Sequence, residues 1–262
     1  MKRIVLTAAF AALGSASAFA ADLGAHTYGK APAMATAVTN WSGLYIGGNV
    51  GYGWGNGSTG ILLSDGDDVL PAPTLDSRLQ GVFGGAQIGY NWQIGSIVTG
   101  YEADIQSSGI RGSARAALVN FGGEDATAAT STSSELSWFG TVRARLGVTV
   151  TPDVLLYGTA GLAYGRVKAS ANLQIDDPPI FDTWPASIGS TKTGWAAGAG
   201  AEWMFARNWS AKVEYLHIDL GSSSATAIDI VAPGQDPLST TTTSSWKHRY
   251  DTLRVGVNYH FN

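Results

Sequence analysis

Nine charged residues fall inside otherwise apolar stretches of the chain, and they are the residues whose types and spacing could do chemistry. The set comprises Glu102, Asp104, Arg143, Arg145, Arg166, Glu202, Lys212, Glu214 and Arg254. Several members lie two residues apart, as Glu102 and Asp104 do, so they would share one face of a β-strand. Carboxylates and cations gathered in a confined space would either pair with each other or line a path for ions.

Metal, haem and hydrolytic chemistry have much less support in the sequence. The four histidines show no metal-ligand spacing, although His217, His248 and Tyr250 would be the residues to reach the iron of haemin. The acidic residues at 65–68 lack the distal glutamate of a calcium loop. The chain has no cysteine, no G-x-S-x-G or H-E-x-x-H motif and no phosphate-binding loop. We therefore expect neither a cofactor nor an enzymatic activity, although a rim site assembled from loops would leave no such motif.

The charged set lies in segments that alternate between two faces with a period of two. In residues 41–55, Leu44, Ile46 and Val50 fall on one face and Gly47 and Asn49 on the other. Eight such segments occur, and an even number suits an antiparallel closed barrel. Residues 154–167 alternate least regularly, and there we place Arg166 on the polar face. The predicted fold is all-β, an eight-stranded antiparallel up-and-down transmembrane β-barrel.

The composition excludes several other classes of protein. Charged residues make up 14% of the chain, against roughly 25% in ordinary soluble domains, and there are 34 glycines. A net charge of −4 from only 16 basic residues argues against nucleic-acid binding. No segment of the mature chain has the roughly 18 consecutive apolar residues of a membrane helix.

A soluble β-sandwich would also alternate, but two features favour the membrane barrel. The charges are few and of mixed sign, which suits pairing inside a tube better than a soluble surface. Aromatic residues lie near the ends of the segments, as interfacial girdles do. The predicted girdles comprise Trp41, Trp54, Trp92, Trp138, Trp195, Trp209, Trp246 and Tyr259.

The order of the segments predicts the targeting and topology of the chain. Residues 1–20 have the basic start, short apolar run and small-residue cleavage site of a signal peptide. We predict that residues 21–40 form a flexible periplasmic tail and that residues 41–262 form the barrel. Long polar connectors at 55–79, 107–134, 168–193 and 221–246 alternate with short ones, so both termini are expected in the periplasm, with the long connectors displayed as four mobile surface loops.

Several segments resemble a known family of proteins. They are residues 40–54 (NWSGLYIGGNVGYGW), 102–106 (EADIQ), 138–147 (WFGTVRARLG), 157–165 (YGTAGLAYG) and 254–261 (RVGVNYHF). Together they are similar to the small outer-membrane β-barrel surface-antigen family of Gram-negative bacteria, whose members are often labelled porin family or outer-membrane immunogenic proteins. The resemblance implies that Val257, Tyr259 and Phe261 form a C-terminal signal for the barrel-assembly machinery, with Asn262 as an unusual addition.

The sequence and the resemblance together give functional expectations. An eight-stranded barrel is just wide enough for its own side chains, which favours a paired plug over an ion path. We expect a structural outer-membrane protein that contacts membrane lipids and lipopolysaccharide and displays surface loops. In related barrels, a mature start such as Ala21-Asp22 resembles a site of attachment to peptidoglycan. The alternatives are binding of a small ligand, haemin or an ion, and a narrow porin-like pore.

Overall fold

The computed structural model describes residues 39–65, 68–71, 75–119, 127–177, 180–228 and 240–261, and almost all of them are in strands. Among these residues there is no helix long and apolar enough to cross a membrane. The strands are β1 (Gly43–Asp65), β2 (Asp68–Pro71), β3 (Leu75–Ile94), β4 (Ile97–Val119), β5 (Thr127–Thr151), β6 (Val154–Asp177), β7 (Ile180–Ala206), β8 (Trp209–Ile228) and β9 (Thr240–Phe261).

Eight long antiparallel strands form a closed ring, and the short strand β2 pairs only with the end of β1. Each long strand pairs with the next in sequence, and β9 pairs back onto β1. Following paired residues once around the ring from Gly43 leads back to Gly53 on the same strand, a register shift of ten residues. Such a shift tilts the strands of a small barrel by roughly 35–45°. The predicted eight-stranded antiparallel up-and-down barrel is confirmed.

Three tight turns lie at one end of the barrel, here called the turn end. Residues 95–96, 152–153 and 207–208 connect β3 to β4, β5 to β6 and β7 to β8. Gly95 has a φ of 64°, a left-handed conformation that glycine adopts without steric cost. The short connectors predicted from the sequence are thus confirmed. The opposite end is called the hairpin end.

The prediction of four long loops at the hairpin end needs correction. The strands continue through most of the segments 55–79, 107–134, 168–193 and 221–246, and β7 reaches 27 residues. A membrane requires only about 9–11 residues of a tilted strand, so the strands extend well beyond it. Serine- and threonine-rich alternation supports this pairing in water, as in the hydrogen bond of 2.8 Å between the hydroxyls of Ser133 and Ser170.

Apolar side chains cover the outer face of the barrel between the two ends. Val50, Val82, Ile105 and Leu253 are all about half-exposed or more. On each strand this band covers only the part nearest the turn end. A continuous exposed apolar belt of this kind fits acyl chains and not water.

Candidate functional site in the barrel lumen

The period-two pattern brings charged side chains from five strands into the middle of the barrel. Glu102 and Asp104 project from β4 and Arg143 and Arg145 from β5, while β7, β8 and β9 contribute Glu202, Lys212 with Glu214, and Arg254. Opposite charges are direct cross-strand neighbours in three cases: Glu102 with Arg143, Glu202 with Lys212, and Glu214 with Arg254. Such pairing stabilises neighbouring strands against each other. These eight residues are called the charged layer.

Two guanidinium groups hold the centre of the charged layer together. Arg143 donates to Glu102 at 2.6 Å, to Glu214 at 2.7 Å and to Asp104 at 3.0 Å. Arg254 donates to the same three carboxylates, at 3.2 Å to Glu102 and Asp104 and 2.5 Å to Glu214. Lys212 completes the group, because its ammonium lies 2.7 Å from the second oxygen of Glu102.

A second ion pair lies closer to the turn end. Arg145 donates to Glu202 at 2.7 Å, and its guanidinium carbon lies 4.0 Å from the centre of the Tyr157 ring. Arg145 also donates to the Tyr45 hydroxyl at 3.0 Å, and that hydroxyl donates to Glu102 at 2.9 Å. Tyr45 therefore connects the two groups of charges.

The charged layer is balanced and dry. Four carboxylates face four cations, and each of the eight residues is at most 4% exposed. Burying such charges is costly unless every one is paired and hydrogen-bonded, and here every one is. The arrangement acts chemically as a plug of fixed ions, since every carboxylate already accepts a charged donor.

Apolar side chains close the lumen on both sides of the charged layer. Along β8 the inward residues run Lys212, Glu214, Leu216 and Ile218, so the polarity changes within one strand. The apolar layer on the hairpin side consists of Leu79, Phe83, Ile110, Leu136, Phe139, Ala163, Val167, Ala196, Leu216, Ile218, Leu220 and Tyr250. At the turn end, the apolar cap consists of Trp41, Val98, Leu155, Tyr157 and Met204.

Inward-facing glycines make room for the two lumen tyrosines. A Cβ atom on Gly89 would lie 2.3 Å from the ring of Tyr45, and one on Gly200 would lie 2.6 Å from the hydroxyl of Tyr157. Real Cβ atoms do not approach other atoms so closely. The high glycine content thus serves the packing of the charged layer at these positions.

One of the nine charged residues is not in the lumen, and the prediction for Arg166 is wrong. Its side chain is exposed on the outer face of β6, whereas Ala163 and Val167 point inward. Odd-numbered residues of β6 face inward without interruption from Leu155 to Ala171, so Arg166 lies on the outer face. The facing was hard to predict because apolar residues such as Leu155 and Ala163 lie on the inner face and blur the alternation of polarity.

Two of the predicted girdle tryptophans also lie inside the barrel. Trp41 is fully buried in the turn-end apolar cap, where its backbone N–H donates to Gln93 and its indole N–H to the Pro152 carbonyl, at 2.8 and 3.0 Å. Trp246 is 3% exposed and packs near Ala169 inside the hairpin end. Aromatic residues at segment ends therefore have two roles, since some of them close the lumen.

The remaining girdle residues face outward and form two rings. Trp92, Trp209 and Tyr259 lie near the turn end. Three further aromatic residues complete this ring: Trp203, Phe205 and Phe261. Trp54, Trp138 and Trp195 lie toward the hairpin end of the apolar band. The residues of the predicted assembly signal, Val257, Tyr259 and Phe261, all point outward on β9. Asn262 lies outside the described residues.

The residues considered for haemin binding do not come together. His217 faces outward, where it lies 2.8 Å from Asp251. Tyr250 faces inward as part of the apolar layer, and His248 faces inward beyond that layer. Burial, together with the nearby Lys192 ammonium, lowers the pKa of His248 to about 4. Within the described part of the chain, no group of three or more potential ligands could hold a metal ion. Part of the acidic segment 65–68, and both Ala21 and Asp22, lie outside the described residues.

Sequence reasoning missed the apolar layer inside the lumen. Its residues lie an even number of positions from polar inward residues on the same strand, as Phe83 does from Gln87 and Phe139 from Thr141. This spacing in the sequence could have placed them inside the barrel. Sequence reasoning also missed the polar chain that extends the charged layer, in which Asn258 donates to Glu202 at 2.7 Å and accepts from Gln87 at 2.5 Å.

Comparison with known proteins agrees with this geometry. Residues 6–261 match the family described as outer membrane protein beta-barrel domain. The chain is 38% identical over 263 residues to a 31 kDa outer-membrane immunogenic protein of Brucella melitensis biotype 1, covering all of both chains. It is 30% identical to a 25 kDa outer-membrane immunogenic protein of Brucella abortus biovar 1, covering all of this chain and 99% of the other.

A solved structure, the outer membrane protein OprG of Pseudomonas aeruginosa, is similar at 12% identity with a TM-score of 0.45, covering 84% of this chain and 97% of the other. With a buried ion network, an apolar outer band and full-length relatives in the outer membrane, the chain belongs to the outer membrane protein beta-barrel family.

Proposed function

We propose that this protein is a sealed structural barrel that supports the integrity of the outer membrane and displays its extended hairpins at the cell surface. The observation that carries the proposal is the filled lumen, in which a neutral charged layer lies between two apolar layers. A pore needs a continuous path of water, and an eight-stranded barrel leaves little room beside its own side chains. The outer face supplies the contact with membrane lipids.

Single-channel recording tests the sealed lumen. We expect the purified monomer in planar bilayers to give no steady ohmic steps, because the charged layer and both apolar layers would have to move together to admit ions. Arg143→Ala with Arg254→Ala, which removes both central guanidinium groups, is the comparison variant. Large steady steps from the unmodified protein would overturn the proposal and favour the narrow-pore alternative.

The turn end is proposed to face the periplasm. Outer-membrane barrels have short periplasmic turns and long external connections, and here the three two-residue turns share one end with Thr39 and Phe261. The chain has no cysteine, so the variants Arg207→Cys and Lys247→Cys would each carry a single labelling site, at opposite ends of the barrel. A membrane-impermeant maleimide should label Lys247→Cys on intact cells and Arg207→Cys only after lysis. The reverse pattern would overturn the orientation.

The tail is proposed to extend into the periplasm and to be joined there to peptidoglycan through the α-amine of Ala21. Thr39, at the end of the tail, already hydrogen-bonds to Asp153 in one of the turns. The 18 residues from Ala21 to Val38 would span up to about 60 Å when extended. When the protein is released from cell walls by muramidase, mass spectrometry should show its N-terminal peptide carrying an added muropeptide. The same measurement on Asp22→Ala is the comparison. An unmodified first peptide would overturn this part of the proposal alone.

A further inference from the structure

Exposed cations on this barrel are distributed very unevenly between its two ends. Among the residues whose side chains the structure describes, eight Lys and Arg residues are exposed, and seven of them lie beyond the apolar band at the hairpin end. Those seven are Arg78, Arg111, Arg115, Arg166, Lys168, Lys247 and Arg249. The eighth, Arg207, lies in a turn at the other end.

Four of these cations form a continuous surface across neighbouring strands, here called the basic patch: Arg78, Arg111, Arg166 and Lys168. Arg111 on β4 is the cross-strand neighbour of Glu135 on β5, which in turn neighbours Lys168 on β6. Arg78 on β3 is diagonal to Arg111, because Gln80, two residues along, is the direct partner of Arg111. The patch therefore runs from β3 to β6 on the outer face.

The basic patch keeps an excess of positive charge, because among the described side chains only two exposed acids, Glu135 and Asp76, lie beside its four cations. Glu135 pairs with Lys168 at 3.8 Å, and both side chains are about half-exposed. In the described part of the chain, Arg78, Arg111 and Arg166 form no ion pair. Three guanidinium groups are thus available to an external anion.

The height of the patch places it next to the ends of acyl chains. Arg166 is the cross-strand neighbour of Trp138 in the girdle and lies two residues beyond Tyr164. Arg78 lies four residues beyond Val82, which is the last exposed apolar side chain toward the hairpin end in the part of β3 whose side chains the structure describes. Since each residue of a tilted strand rises roughly 2.4 Å along the barrel axis, these guanidinium groups lie about 5–10 Å beyond the apolar band. That is the depth of lipid headgroups.

A shallow apolar groove lies on the membrane face below the patch, centred on β1, β3 and β4, and it extends to Tyr164 on β6 and to Trp209 and Tyr259 toward the turn end. Small residues at Gly48, Ala86 and Ala103 form its floor, Ile88 and Ile105 flank it, and its volume is about 810 Å³. An acyl chain can lie against such a surface while its headgroup reaches the strand ends above. The same strands β3 and β4 carry Arg78 and Arg111.

We propose that the basic patch binds the phosphate groups of the phosphorylated glycolipid of the outer leaflet, with an acyl chain in the groove below. Guanidinium groups bind phosphate oxygens through charge-assisted, often bidentate hydrogen bonds. The apolar groove and the cations at headgroup depth fit one amphiphile better than a free anion. The proposal rests on the orientation given above, which puts the hairpin end in the outer leaflet.

Lipid binding to the folded barrel in detergent tests this proposal. The probes are bisphosphorylated lipid A, the same lipid after removal of its phosphates, phosphatidylglycerol, and inorganic phosphate. The variant combines Arg78→Gln, Arg111→Gln, Arg166→Gln and Lys168→Gln, and the matched control is Arg207→Gln at the opposite end. Different gel mobility with and without boiling shows that each variant is folded.

We expect the fourfold variant to lose about tenfold or more in affinity for bisphosphorylated lipid A, and Arg207→Gln to stay within about twofold. Removing the phosphates should weaken binding to the unmodified barrel to the level of the fourfold variant. Unchanged affinity of a folded fourfold variant would overturn the proposal, as would equal binding of dephosphorylated lipid A. Equally tight binding of phosphatidylglycerol or inorganic phosphate would overturn the assignment to the glycolipid. Because purified barrel is used, these outcomes are independent of the labelling test of orientation.

Discussion

The charged layer and the apolar layer on its hairpin side fill the same tube by different physical means. In the charged layer, each carboxylate is placed by at least three donors from other strands, and the charged donors to Glu102 are Arg143, Arg254 and Lys212. In the apolar layer, residues such as Ile110 and Phe139 make non-directional contacts. The first arrangement depends on the exact partners and the second mainly on volume, so the two should respond differently to small changes.

Removal of one carboxylate should give the largest effect. Glu102→Ala leaves four cations facing three carboxylates in a buried interior, which we expect to lower the free energy of unfolding by about 3–5 kcal/mol. Denaturant titration of the barrel in lipid vesicles, followed by tryptophan fluorescence, measures it. Glu135→Ala is the matched control, because its pair with Lys168 is exposed and should contribute less than about 1 kcal/mol. Similar losses from both variants would contradict the contrast between buried and exposed pairs.

A methyl group added next to Tyr45 should give the second-largest effect. Gly89→Ala places a Cβ where the Tyr45 ring lies, and we expect a cost of about 1–3 kcal/mol together with displacement of the tyrosine that connects the two groups of charges. Gly158→Ala is the control, because its Cβ would meet only the Gly198 carbonyl oxygen, at 3.9 Å. The same titration applies, and a neutral Gly89→Ala would show that the charged layer can rearrange.

One carbon removed from each layer compares them most directly. Ile110→Val should cost about 0.5–1.5 kcal/mol, since neighbouring side chains can partly close the gap. Glu102→Asp removes one carbon as well, but it withdraws the carboxylate from Lys212 and Arg143 and should cost more. If Ile110→Val proved the costlier of the two, geometry would matter more in the apolar layer than in the charged one.

Acid should have a small effect on the far side of the apolar layer. The pKa of His248 is lowered to about 4 in the folded barrel, against about 6.5 when unfolded. As pH falls below 6.5, the unfolded chain takes up a proton that folded His248 resists, so this residue removes about 1 kcal/mol of stability between pH 7 and pH 5.5. Below pH 4 it removes no more. Titrations at both pH values measure this, and His248→Gln should reduce the difference by that amount.

The sequence predicted the barrel well because a period of two survives along most strands. The inward facing of Glu102, Arg145 and Glu214 follows from alternation alone. The prediction failed where residue type was used in place of parity, as for Arg166 and Trp41. The partners of each charge could not be predicted, because they depend on the ten-residue register shift that closes the ring.

The length of the strands was underestimated for a related reason. Serine, threonine and alanine in segments such as residues 127–134 predict a loop, yet these residues pair regularly with β4 and β6. A strand that is hydrogen-bonded to a neighbouring strand on each side can extend into water without an apolar face.

The equal number of anions and cations in the lumen has an electrical consequence for assembly. A folding chain that carries this neutral set into the bilayer adds no net charge to the membrane interior. No counterion therefore has to accompany these eight side chains into the membrane.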